Sequence, residues 1–206
     1  MNIKWMGLIV LMSLNASLAW GQKKVKTTSD FYREIMYVDE EGKENGLYQM
    51  RLKGRGKPLI EGQYEHGKKV GVWNFYNRLR KEYFTYDFDH SEIIYSQFVL
   101  QREQAGKWVS LRTVQASSPQ IGEYVYQMYK AFDYPEKAYE HGVEGTVIIA
   151  LILDEEGRVT DWEKLRDIGA GLGTAGVELT KVMDIKWDLP GPGNYRILAP
   201  IIYMTK

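Results

Sequence analysis

Few side chains in this sequence have the type and spacing to do chemistry. The histidines are His66, His90 and His141. No two of them stand in H-x-x-x-H spacing, and together they fall short of the ligand count that a zinc site needs. The best cluster is His90 with Asp87 and Asp89, whose carboxylates share a strand face and could approach a cation; an acidic strand end exposed to water has the same composition. Glu155-Glu156 and the Asp87/Asp89 pair are the kind of paired carboxylates a hydrolase uses, yet each falls where a turn or a solvated face requires polarity. No G-x-S-x-G occurs, and with Cys 0 there is no thiol nucleophile, Cys-ligated metal or disulfide. The expectation is a protein that is not an enzyme and binds neither a metal nor another cofactor.

One run imitates a cofactor site. Gly171-Leu172-Gly173-Thr174-Ala175-Gly176 fits G-x-G-x-x-G, follows a strand pattern and opens a helix pattern. A dinucleotide fold needs an acidic residue about 20 positions further on and several more βα units. After Asp188 there is no Asp or Glu, and only 18 residues remain. These glycines are read as a tight loop and a helix start.

The elements that must position these residues belong to an ordinary globular chain of 206 residues, 44% hydrophobic and 26% charged. Lys+Arg 27 balances Asp+Glu 27, so the field that non-specific phosphate binding requires is missing and nucleic acid is excluded as an expected partner. The N-terminus reads as an address. Lys4 precedes the apolar run Met6–Leu14, which ends at Asn15, short of a spanning helix, and small residues offer cleavage after Ala19 or Gly21. Residues 1–21 are therefore expected to be a cleaved signal peptide, and the mature protein periplasmic. The alternative is an uncleaved anchor with Trp5 and Trp20 at the interface.

Charge divides the remainder. Residues 22–115 carry 17 Lys/Arg against 13 Asp/Glu, residues 116–206 carry 9 against 14, and the breaker cluster Ala116-Ser117-Ser118-Pro119 lies between them. The expected organisation is a β module over 22–115 and a second domain over 119–206.

In the first module, Asn45-Gly46-Leu47-Tyr48 returns 25 residues later as Val70-Gly71-Val72-Trp73, a period typical of repeat architectures. Tyr83 to Asp89 alternates, with Phe84, Tyr86 and Phe88 on one face, as in a half-buried strand. Ser91 to Leu100 is read as one further strand, and Ala105-Gly106-Lys107-Trp108 as a degenerate third copy. Arg51, Lys53, Arg55 and Lys57, two apart, would share a strand face open to acidic groups or to water. The run Gly62 to Tyr76, GQYEHGKKVGVWNFY, resembles MORN-like repeats. That resemblance implies a stack of β-hairpins over about residues 44–90 with no cofactor.

In the second domain, Ile121, Val125, Met128 and Phe132 form the apolar stripe of an amphipathic helix. Pro135 and Gly142 bracket a short helix. Val147–Leu153 and Arg158–Leu165 make a hairpin around Asp154-Glu155-Glu156-Gly157. Gly173–Ile185 is expected to be a helix, and Tyr195–Met204 an apolar strand interrupted by Pro200. Because proline cannot donate to a ladder, Pro200 predicts that this last strand has one side unpaired.

The combination Tyr134-Pro135 with Ala138, Gly142 and Gly145, then Gly157, Gly171 and Gly173, Trp187, and Pro200 resembles the C-terminal domain of the TonB family over residues 134–204. The resemblance implies an α+β fold overall: an N-terminal β-hairpin repeat module, then a small antiparallel sheet with helices on one face. It also implies binding of an extended peptide, such as a segment of a TonB-dependent outer-membrane transporter, by strand addition at a sheet edge. The implied edge residues are Tyr195, Arg196, Ile197, Leu198, Ile201 and Tyr203, and the same edge would allow a homodimer. Pro 6, scattered along the chain, cannot form the Pro-rich rod of a full-length TonB. The rival expectation is a structural cell-envelope protein working through its MORN-like repeats.

Overall fold

A computed structural model describes residues 22–28, 32–53, 57–77, 81–111 and 120–204. The expected signal peptide, the 116–119 breaker cluster and Arg55 lie outside the described residues. The fold is α+β, with two antiparallel sheets and three helices among the described residues. β1 (Lys23–Thr28), β2 (Tyr32–Val38), β3 (Gly46–Leu52), β4 (Ile60–Glu65), β5 (Lys68–Tyr76), β6 (Glu82–Asp87) and β7 (Glu92–Ser96) form a seven-stranded meander in chain order. β8 (Val99–Gln104), β9 (Lys107–Ser110), β10 (Gly145–Leu153), β11 (Val159–Arg166) and β12 (Tyr195–Tyr203) form a five-stranded sheet in the order β11-β10-β12-β8-β9.

Turn chemistry accounts for the meander. His66 and Gly67 join β4 to β5 with φ of 46° and 82°, the pair of left-handed residues that matches the twist of a two-residue hairpin. Ala105 and Gly106 join β8 to β9 in the same way, at 49° and 74°. The run Ala105–Trp108 is thus a hairpin tip in the other sheet and not a third repeat. Asp154 closes the β10–β11 hairpin by accepting the Arg158 N–H at 2.8 Å.

Three expectations are corrected. Ser91–Leu100 is two strands in different sheets: Gln97 still donates its N–H to Tyr83 O, whereas Val99 begins the pairing with β12. The boundary between the sheets therefore falls near Gln97, well before the 115–119 division that charge and breakers suggested. β6 is covered on both faces, because Tyr83 and Thr85 are buried as well as Phe84 and Tyr86. The basic row is no strand face, because β3 ends at Leu52 and Lys53 lies in a turn.

The helix α1 (Ile121–Lys130) lies between the sheets and makes them share one core. Of its expected stripe, Ile121, Val125 and Met128 are buried, whereas Phe132 lies two residues past the helix end and is half-buried. Gly122 allows close approach to β6, since a Cβ there would meet the Tyr86 ring at 2.4 Å. Lys69 Nζ is held 2.7 Å from Glu123 and 3.9 Å from the Tyr126 ring centroid. Lys130 pairs with Glu34, and the Tyr129 hydroxyl donates to Tyr76 O at 2.9 Å. On the other side, the Tyr124 hydroxyl donates to Thr180 O. No helix among the described residues is long and apolar enough to cross a membrane.

Two shorter helices complete the second sheet. α2 (Glu136–Glu140) follows Pro135, which sits one position before the helix, and Gly142 leaves it at φ 60°. α3 (Leu172–Thr180) is shorter than the expected Gly173–Ile185 and packs on one face of β10 and β12, where Gly176 meets Val147, Ile149 and Ile201.

Candidate functional site

The six residues expected to form an open edge do not form one. β12 is the central strand of its sheet: it pairs with β10 from Tyr195 to Tyr203, and with β8 from Tyr195 to Leu198. Four of the six, Tyr195, Arg196, Ile197 and Leu198, are therefore paired on both flanks. Tyr195, Ile197, Ile201 and Tyr203 point into the core. Arg196 and Leu198 point to the opposite face, where the Arg196 guanidinium lies 4.4 Å from the Trp108 ring centroid and donates to Gln101 Oε1 at 2.8 Å. A whole-strand edge open to a transporter segment or to a second copy is thus replaced by a half-strand. The physical cause is the change of sheet near Gln97, which brings β8 alongside β12.

What survives of the edge is its second half. Beyond Leu198 no described strand lies on that flank, because the chain preceding Val99 turns away to the seven-stranded sheet. Asn194 O accepts from Glu103 N at 3.0 Å, so by alternation Arg196, Leu198, Pro200 and Ile202 direct their main-chain groups toward the β8 side. Pro200 stands first past the last β8 pair. Its missing N–H thus costs no ladder bond to Ile148, its β10 neighbour, which explains why β12 runs through it uninterrupted. Ile202 presents the next main-chain N–H and C=O on that flank.

The free flank borders an apolar cleft. Tyr32, Tyr76, Met128, Phe132 and Leu179 line it together with Pro200 and Ile202, around a cavity of about 60 Å³. Burial, reinforced by the nearby Glu61 charge, pushes the Tyr76 phenol up to about 12, and burial raises Tyr83 as well. Both phenols are therefore neutral at physiological pH, and the cleft suits an uncharged side chain. Alternation plus Pro200 was the signal available for this flank; the cleft depends on α1 and the seven-stranded sheet meeting β12, which no local pattern encodes.

The other singled-out residues have structural work. Tyr134 donates to Val143 O and packs edge-on to Tyr203 at 5.5 Å, with Ala138 buried beside it. Gly145 passes the Ile168 side chain at φ 148°. Gly157 lies against the Trp187 backbone, where a Cβ would come 1.9 Å from Trp187 O. Gly171 precedes α3 at φ 85°, and Gly173 donates its N–H to Asp167 Oδ1 at 3.0 Å. The Asp167 carboxylate thus occupies the helix start where a phosphate would sit in a dinucleotide site. Asp87 accepts the N–H groups of Asp89 and His90 and faces His90 Nδ1 at 2.9 Å, the arrangement of a turn. Among the described residues, no group of three His, Cys, Asp or Glu is placed to hold a metal ion.

No family model, curated protein or solved structure matches this chain.

Proposed function

We propose that the protein is an exported, non-catalytic binding module of the bacterial envelope, which takes an extended peptide by strand addition as the TonB C-terminal domains it resembles do. The docking strip is the flank of β12 from Ala199 to Tyr203, displaced from the 195–198 stretch that β8 occupies. The observation that carries this reading is the unpaired half-strand at Pro200 and Ile202 beside an apolar cleft. Main-chain pairing there supplies attraction, and one apolar side chain of the peptide enters the cleft. Supporting the TonB likeness is the order β10, β11, α3, β12 in the chain, with β10 central between β11 and β12. A segment of a TonB-dependent outer-membrane transporter is the partner this likeness implies, with affinity in the micromolar range, about −8 kcal/mol.

The test is Ile202→Pro. The substitution removes an N–H from the free flank and leaves the β10 ladder intact. Titration with a synthetic transporter box peptide should show binding to the parent and to Ile202→Val, and none to Ile202→Pro. Equal binding by all three contradicts the reading. The rival reading, a structural envelope protein working through its hairpin repeats, is favoured by a different observation: the edge strand β7 exposes Ile94 and Tyr95. Substituting both with Ser should abolish binding to envelope proteins only under the rival.

A further inference from the structure

We propose that a second copy of this chain docks on the outer face of the seven-stranded sheet, an interface separate from the strand-addition strip on β12. Strand alternation defines the face. Glu34, Tyr48, Met50 and Tyr86 are buried on the side that meets α1, so their neighbours Arg33, Leu47, Gln49, Arg51 and Asp87 point the other way. Leu47 is 42% exposed there, and Lys24, Lys26, Gln63, Glu65 and Glu92 are exposed as well.

Charge divides this face in two. Among the described residues, β1, β2 and β3 contribute Lys24, Lys26, Arg33 and Arg51 to it and no carboxylate, a formal charge of +4. The strands β4 to β7 contribute Glu61, Glu65, Asp87 and Glu92 against Lys68, a formal charge of −3. One row across the sheet shows the gradient. It runs from Lys24 beside Tyr37, through Leu47, Gln63 and Val70, to Asp87 paired with Glu92. Its middle is uncharged and its ends have opposite sign. Lys24 lies along the face, with its ammonium 5.7 Å from the Tyr37 ring centroid.

This distribution selects the occupant. A two-fold axis along β4, the middle strand of the seven, lays β1–β3 of one copy over β5–β7 of the other. Lys24 of each copy then faces Glu92 of the other, and Leu47 faces Val70, so every favourable contact is made twice. Two twisted sheets stack in this way at about 30°. A purely acidic ligand would be attracted by one half of the face and repelled by the other. With about 4.8 Å between strands and about 3.3 Å per residue, the face offers roughly 600 Å² per copy and about 1,200 Å² per pair, the low end for a specific interface. The dimer is therefore a reversible one.

The experiment is sedimentation velocity on the full mature chain over about 1–500 μM, the range in which so small an interface assembles. The expected result is a monomer–dimer equilibrium with Kd of ~10–100 μM that weakens as salt is added. Lys24→Glu and Glu92→Lys each set like charges face to face, and each alone should weaken self-association at least about 10-fold. Mixed together, the two variants regain opposite charges at both contacts, so a heterodimer should form within about 3-fold of the parent affinity. That rescue also serves as the folding control, because a misfolded variant could not be rescued by its counterpart. A chain that stays monomeric throughout would overturn the proposal. So would a parent dimer indifferent to both substitutions, which would place the contact on another surface, or a mixture that fails to associate.

Discussion

Tyr48 and Trp73, at equivalent places in two repeat units 25 residues apart, stack with ring centroids 5.4 Å apart and 25° between their planes. Each of the two segments thus contributes one flat ring to a shared aromatic cluster that also takes in Tyr64 and Tyr126. Gly62 makes room for the stack, because a Cβ there would lie 2.2 Å from the Trp73 indole. Gly62→Ala should therefore destabilise the fold by about 1–3 kcal/mol. Urea unfolding would show a lower midpoint with an unchanged slope; an unchanged midpoint would mean the indole moves aside freely.

The clamp of α1 on the seven-stranded sheet should be unequal in its two halves. Glu123 is one-third exposed, so Glu123→Gln should cost no more than about 1 kcal/mol. Lys69 is more deeply set, with its ammonium 5.5 Å from Tyr64, 5.6 Å from Trp73 and 3.9 Å from Tyr126. Lys69→Ala loses cation–π attraction and stem packing together and should cost about 2 kcal/mol. Urea unfolding of both variants checks the order; equal losses would locate the clamp in the ion pair alone.

Asp87 and His90 give the fold a pH signature. The hydrogen bond and charge of Asp87 raise His90 above its ordinary value of 6.5, and His90 with two backbone N–H groups holds Asp87 below 3.8. A raised histidine stabilises at pH values below 6.5 and loses that contribution as pH rises through its folded value. A lowered carboxylate stabilises above 3.8 and loses its share as pH falls through its folded value. The pair therefore acts between those limits. NMR titration should place the His90 midpoint above 6.5, and Asp87→Asn should return it toward 6.5; a midpoint indifferent to Asp87→Asn contradicts the assignment.

Asp167 explains why a dinucleotide-like glycine run is read here as a helix start. Its Oδ1 accepts the N–H groups of Gly169 and Gly173, at 2.9 and 3.0 Å. Asp167→Ala should cost about 1 kcal/mol, the typical loss of a helix-start acceptor. Thermal unfolding should record a lower Tm, and no change would show that solvent replaces the carboxylate.

Local chemistry made much of the second sheet legible. The β-branched run Val147–Leu153 and the turn at Asp154 fixed a hairpin, and the stripe Ile121, Val125, Met128 fixed the buried face of α1. The change of sheet near Gln97 was invisible, since no glycine or proline marks it and Ser91–Leu100 reads as one apolar-rich run. That single omission moved the boundary between the sheets and turned a paired strand into an expected edge. Pro200 spoke truly, but only for the half-strand next to it. The end of α3 was overrun because Val182, Met183 and Ile185 continue an apolar pattern that serves the loop toward Trp187 instead.

The shared core also rules out testing the two halves as separate fragments, because β8 and β9 would be severed from β12. The direct measurement is amide hydrogen exchange on the mature chain, with and without a saturating transporter box peptide. Strand addition at the free flank predicts added protection at the Ile202 amide, with the outer edges at β9 and β11 unchanged. Protection confined to β9, β11 or β7, with Ile202 unaltered, would contradict it.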